Sequence, residues 1–318
     1  MPYGLARYGL ELNPYKFPLD PLENDKHADW LVRVDGFAKL DEVDEYLKKH
    51  AEEKRPQFFM VAGKSGSGRT SVAKYILSRY RHHRGIGRER FVPVIRELEN
   101  HDEFYFFQNW LINLYYELDS LEIKPTLPKN LTLDEINKAV PGTMRASFHG
   151  LMMQFSKVMT MAEAGGQPAA WFGCVVDKVN SFAFIDAAAE IFKDTRTVCV
   201  FTAGDYNEID ETVIKPFRGM FGKEALIRLS DLSGGQVKNL VSARWGHFSK
   251  FEIPFDLTGV EKTFEARARS VGRVLEIFSK LIVAKVPDME DGPAWPEAAQ
   301  LAHDQKDLQH YLDLFEEY

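Results

Sequence analysis

The chain has 318 residues, a formal net charge of −7, 45% hydrophobic and 27% charged residues. That is the balance of an ordinary globular protein and excludes the disordered and fibrous classes. An acidic surface argues against tight, sequence-independent binding of nucleic acid by the whole molecule. The two cysteines, Cys174 and Cys199, lack metal-type spacing and lie in apolar runs, so they read as buried thiols in a reducing cytoplasm. The N-terminus has no signal-type apolar core, and no run is long enough to span a bilayer.

Residues 1–24 contain Pro14, Pro18 and Pro21 among aromatic and leucine residues. Proline removes donors and fixes an extended path, which predicts an arm lying across the main domain. Asp35-Gly36 is a turn signal. Over residues 38–52, Leu40, Val43 and Leu47 recur at helical spacing.

The next stretch dominates the reading. An apolar run of strand type over residues 57–62 ends in Gly63-Lys64-Ser65-Gly66-Ser67-Gly68-Arg69-Thr70-Ser71, and a helix follows with Val72, Ala73, Ile76 and Leu77 on one face. Strand, glycine loop and helix make the geometry that holds phosphate, because backbone N–H groups converge and the helix N-terminus adds its positive end. The spacing from Gly63 to Gly68, then a cation and a threonine, is that of a Walker A loop, in which the threonine hydroxyl, here Thr70, reaches a magnesium ion. The usual lysine is replaced by Arg69. A guanidinium is broad and planar where an ammonium is a compact point charge. Phosphate binding survives such a change more readily than catalytic positioning does, and Lys64 is a second candidate for the ammonium.

Residues 79–90 include Arg79, Arg81, Arg84, Arg88 and Arg90 and form the most basic segment. They read either as a contact for nucleic acid or as cations at a helix C-terminus before a glycine turn, and the acidic remainder of the chain favours the second. A strand is expected over 91–95. Residues 103–118 are dense in aromatics and read as core. Helices are expected over 131–140 and 145–164. The apolar run 169–176 reads as a strand buried on both faces of a parallel sheet and ends in Asp177, where open α/β sheets bind ligands. That is the form of a Walker B motif, whose aspartate helps hold Mg²⁺. The alternative is a turn-initiating aspartate. Lys178 stands where a glutamate would activate water, and a protonated lysine cannot act as that base.

A further buried strand over 197–201 leads to Thr202, which either positions water near a γ-phosphate or is a strand-end threonine with no role. Cys174 precedes Asp177 by three residues, as Cys199 precedes Thr202; neighbouring strands in register would set the thiols side by side. A last strand is expected at 225–229, a helix from Gly234-Gly235 through Arg244, helices from beyond Pro254 to residue 286, a proline-rich linker at 287–296, and a charged terminal helix at 297–318.

With these elements in place, the chain resembles an AAA+ ATPase, nearest the branch of replication initiators, transposition regulators and STAND signalling ATPases. The resemblance covers about residues 13–286. It implies an α/β fold, with a parallel-sheet P-loop core followed by a small helical lid. The divisions are an arm at 1–24, the core at 25–232, the lid at 233–286, and the linker with terminal helix at 287–318. Residues 31–36 correspond to the family's adenine-side segment, Asp177 to Walker B and Thr202 to sensor 1. Arg218 falls where a finger reaches a neighbour's γ-phosphate, and Arg273 falls in the sensor 2 stretch; either arginine alternatively packs or pairs at a surface. ATP or ADP and Mg²⁺ are the implied ligands, with Thr70 and Asp177 on the metal. Self-association or a protein partner is implied, with nucleic acid possible through residues 79–90 but not favoured, and no membrane. The departures at Arg69 and Lys178 point to a switch or assembly factor that binds nucleotide and hydrolyses it slowly or not at all. An active ATPase in a DNA-linked process and a nucleotide-free scaffold are the competing readings.

Overall fold

The computed structural model describes residues 5–53, 55–97, 108, 109, 112, 116, 134, 171–177, 179, 185, 197–204, 225–284, 308–310, 312 and 313. Expectations for the aromatic segment at 103–118, the helices at 131–140 and 145–164, and the linker lie outside the described residues or touch them at isolated positions. Contacts divide the chain into two compact units. One comprises Asp41–Gly63 and Val72–Arg228; the other comprises Met1–Leu40, Lys64–Ser71 and Leu229–Tyr318.

The first unit is built on a five-stranded sheet of β1 (Gln57–Gly63), β2 (Phe91–Glu97), β3 (Trp171–Asp177), β4 (Thr197–Ala203) and β5 (Leu226–Leu229), in the order β2-β3-β4-β1-β5. β2 with β3, β3 with β4, and β4 with β1 pair in parallel. Every residue of β1 and β4 is buried, as continuous apolar runs in a covered parallel sheet require. All five strands stand where the apolar runs predict them. Cys174 and Cys199 are register partners on β3 and β4. Both are free and buried, and burial, then the Cys174 thiol beside it, pushes the Cys199 thiol well above its ordinary value.

Two helices of this unit bind each other through one carboxylate. α2 (Leu40–Lys49) buries Leu40, Val43 and Leu47, the three positions that its periodicity nominates. α3 (Arg69–His83) follows the glycine loop. Asp44 of α2 accepts from Nε of Arg79, from Nη2 of Arg79 at 2.8 Å and from Nε2 of His83 at 2.8 Å. Burial alone would raise the Asp44 carboxyl, but the hydrogen bonds from Arg79 and His83 hold it below the ordinary aspartate value.

α3 ends in a Schellman motif: Ile86 N–H donates to Arg81 O and Gly85 N–H to His82 O, with Gly85 at φ 63°. Arg81 is buried. Arg84 lies 4.5 Å from the Tyr80 ring centroid and 5.0 Å from that of Trp171, and donates to Glu53 O at 2.8 Å. Arg79, Arg81, His83 and Arg84 of the basic segment are thus committed inside their own unit.

The second unit is helical: α1 (Lys26–Asp29), α4 (Gly234–Phe248), α5 (Leu257–Glu265) and α6 (Val271–Ala284). Ser233 and Gln236 form a capping box at the start of α4, and Asp256 caps α5 by accepting from Thr258 N–H at 3.0 Å. α4 runs one turn past its expected end, and the helical tract beyond Pro254 is resolved into α5 and α6. The core joins Val237, Val241 and Trp245 of α4 with Phe264 of α5 and Phe278 and Leu281 of α6. Leu5, Tyr8, Leu10 and Tyr15 of the N-terminal arm belong to the same core, as do Leu308 and Leu312. Tyr15 Oη donates to Val241 O at 3.1 Å and Asn13 Nδ2 to Ser279 O at 3.0 Å. The arm expected across the main domain is therefore a structural part of the helical unit.

Replacing Asp44 by alanine should lower stability by about 1–3 kcal/mol at neutral pH, the worth of hydrogen bonds to a charged group. A carboxyl with a lowered folded pKa stabilises above the unfolded aspartate value of about 3.9 and loses that contribution as pH falls through the folded value. Urea melts of wild type and Asp44→Ala should accordingly converge on acidification below about pH 4. A gap that stays constant would show that the pairing does not carry it.

Candidate functional site

The glycine loop starts where β1 leaves the sheet. Ser67 N–H donates to Lys64 O at 3.1 Å, and Gly66 and Gly68 sit at φ 76° and 96°, values that side-chain-bearing residues rarely adopt. The loop clusters with the helical unit and is held there at two points. Gly272 N–H, in the first turn of α6, donates to Gly66 O at 2.7 Å, and a Cβ on Gly272 would stand 2.8 Å from that oxygen. A Cβ on Gly68 would stand 2.7 Å from Cζ of Phe37. Phe37 belongs to the 3₁₀ turn Asp35–Lys39. Asp35 opens that turn at φ 47°, with its carboxylate accepting from Ser230 N–H at 2.6 Å and Ser230 Oγ at 2.7 Å.

A cavity of about 580 Å³ opens against the loop, within the helical unit. That volume is in the range of small-molecule sites. Gly68 and Ser71 form one part of its wall. Leu31, Val32, Val34 and Phe37 form another, Leu240 and Arg244 of α4 a third, and Val271, Gly272, Leu275 and Glu276 of α6 a fourth. Phe17 and Trp30 complete an aromatic side. The residues fit a nucleotide on three observations. Gly66 and Gly68 leave bare backbone beside the 15-residue helix α3. Ser67 is 2% exposed and its Oγ has no hydrogen-bond partner. The apolar walls suit a flat base.

The other nominated residues fall as follows. Asp177 ends β3 and Thr202 lies in β4, at the carboxyl edge of the sheet; the register partner of Thr202 on β1 is Val61, two residues before the loop. Thr202 is buried and its hydroxyl donates to Asp177 Oδ1, while its carbonyl accepts from Val179 N–H at 2.7 Å. Arg69 and Thr70 open α3, Thr70 exposed. Gly63 and Ser65 flank Lys64, whose Nζ lies 3.6 Å from Asp231 Oδ2 with a largely exposed side chain. Arg273 Nη1 donates to Glu276 Oε2 at 2.7 Å and is not among the cavity-lining residues. Hydrogen bonds from Lys280 and then Arg273 hold the Glu276 carboxyl below its ordinary value. Arg218 and Lys178 lie outside the described residues. Among the described residues, no group of three or more His, Cys, Asp or Glu is placed to hold a metal, and no helix is long and apolar enough to cross a membrane.

Sequence reasoning missed Arg244. A signal existed: it lies four residues after Leu240 and three after Val241, so a charge sits on the apolar stripe of its helix. It is 3% exposed, and its Nη2 donates to Phe17 O at 2.6 Å. Burial pulls the guanidinium down to about 10. Beside it, burial and the Arg244 charge together lower His247.

Gly68→Ala should cost about 1–3 kcal/mol, from a side chain forced into a left-handed backbone region against the Phe37 ring. Chemical denaturation measures it, and wild-type stability in the variant would mean that the ring and loop relax freely.

No family model matches the sequence, and no curated protein does. Among solved structures, the fold is similar to that of the Aeropyrum pernix ORC2 protein in its ADPNP–ADP complexes, with a TM-score of 0.54 at 9% identity over 88% of this chain and 68% of that one. It is also similar to the ORC1 protein of the same organism in complex with DNA, with a TM-score of 0.52 at 12% identity over 89% and 68%. A chain of Drosophila ORC bound to DNA scores 0.49 at 13% identity, and this chain spans 60% of its length. Strand order, glycine loop and the two archaeal likenesses agree: this chain has the parallel-sheet α/β fold of those ORC proteins.

Proposed function

We propose that this chain binds ATP or ADP with Mg²⁺ and acts as a nucleotide-gated switch or assembly factor, with slow or absent hydrolysis. The observation that carries the reading is the cavity at Gly68 and Ser71, whose lining includes the start of α6. Backbone amides of the 63–71 loop would hold the phosphates, with the N-terminus of α3 adding its positive end. Magnesium keeps most of its waters and takes only one or two protein oxygens, and Thr70 and Asp177 are the proposed ones. Thr202, through its hydroxyl on Asp177, would fix that carboxylate. The Gly66–Gly272 hydrogen bond ties the loop to α6, so an occupant of the loop bears directly on the lid. Differential binding between two lid positions is enough to drive a switch.

Weak hydrolysis follows from residue chemistry. Arg69 replaces the compact ammonium, and Lys178 replaces the carboxylate that activates water. Arg218 would complete a neighbour's site in a head-to-tail assembly. Arg273 would exchange Glu276 for a γ-phosphate. The proposed divisions are an arm at 1–24, a core at 25–232, a lid at 233–286 and a linker with terminal helix at 287–318, in a cytoplasmic protein.

The DNA in the ORC1 comparison favours a second reading, an active ATPase regulating a DNA-linked process. The internal commitments of Arg79, Arg81 and Arg84 count against residues 79–90 as its DNA contact. Titration calorimetry with ATP and Mg²⁺ should give saturable heat; silence at millimolar nucleotide removes the switch and leaves a scaffold. Phosphate release should be at or near background and unchanged in Asp177→Ala. Robust turnover abolished by that substitution would establish the second reading.

A further inference from the structure

Arg244 has no structural account in the helical unit that repays its burial. It is 3% exposed, and among the described residues no carboxylate pairs with it. Among the described residues, its polar and ring contacts are one hydrogen bond to Phe17 O and the Phe248 ring, whose centroid lies 5.9 Å from the guanidinium carbon. Its Nε makes no hydrogen bond. A buried charge without a counter-charge is costly, and a well-packed apolar side chain of similar volume is commonly as stable or more so. Arg244 also lines the 580 Å³ cavity, as do Leu240, Phe17 and Trp30. Trp30 is itself fixed by stacking on His247, with centroids 5.5 Å apart and planes at 19°.

We propose that Arg244 is a ligand-recognition residue of this cavity, whose guanidinium donates to a hydrogen-bond acceptor on the base of the bound nucleotide. The proposal rests on the nucleotide reading above. The base, rather than the phosphates, is the partner for two reasons. The bare backbone suited to phosphate belongs to the Gly68 part of the wall, and Arg244 comes from α4 among aromatic and aliphatic neighbours. A phosphate there would be stripped of water against apolar walls, whereas a ring nitrogen or carbonyl of a base is a neutral acceptor that tolerates them. A guanidinium has donors only, so it reads N1, N3 or N7 of a purine and cannot accept from an exocyclic amine.

The test is calorimetry on the full chain with Mg²⁺, comparing ATP with inorganic tripolyphosphate, in wild type and Arg244→Met. Hydrogen bonds to charged groups predict an ATP affinity at least about tenfold weaker in the variant, with tripolyphosphate affinity unchanged. The melting temperature should be equal to or above that of wild type, because a buried unpaired charge has gone. Unchanged ATP affinity overturns the proposal. So does an equal weakening of both ligands with a lower melting temperature, which marks a purely structural residue. Binding of neither ligand by wild type instead removes the nucleotide reading. Should the variant not fold, wild type alone decides with 1-deaza-, 3-deaza- and 7-deaza-ATP. One analogue weakened about tenfold sustains the assignment, and all three binding like ATP overturns it.

Discussion

One backbone hydrogen bond organises the helical unit around the phosphate-type loop: Gly272 N–H to Gly66 C=O. The first amides of any helix lack intrahelical acceptors and must find them elsewhere. α6 finds one in the loop itself. The approach is so close that a single added carbon on Gly272 would collide with the carbonyl oxygen. The strand that feeds the loop belongs to the sheet, yet by its contacts the loop belongs with the helices. Geometry at Gly66 and geometry at the head of α6 are therefore one property.

The rest of the helical unit stiffens that junction. Phe37 abuts Gly68 from a turn pinned by Asp35 and Ser230. The N-terminal arm enters the core through Tyr8 and Tyr15, and Tyr8 meets Trp245 edge-on at 6.0 Å. Residues more than 200 positions apart thus share one apolar interior. Burial of large aromatics contributes most of its stability, and the polar handles are used sparingly, as with Tyr15 on Val241 O.

The sheet was legible in the sequence because strands buried on both faces are written as unbroken apolar runs, such as residues 57–62 and 197–201. Even the pairing of Cys174 with Cys199 followed from their equal offsets before Asp177 and Thr202. The glycine loop was legible because the positive φ at Gly66 and Gly68 favours glycine. The cavity was not legible. Its walls come from residues 17, 30–37, 240–244 and 271–276, and no local pattern says that such distant segments converge. Arg244 was overlooked because a long amphipathic cation on a helix is ordinarily a surface residue. The arm's share in the helical core was not legible because proline and aromatics announce an extended segment without naming the face that receives it.

The sealed cysteine pair has a practical use. Cys174 and Cys199 sit at 0% exposure on adjoining central strands, and thiols that no reagent can reach do not react. Modification by a thiol reagent can proceed only when the middle of the sheet comes apart, so its rate under native conditions reports the rarest and largest opening of the molecule. Loop fraying and helix breathing would leave it silent. The molecule thus carries its own clock for global opening, readable without an introduced label.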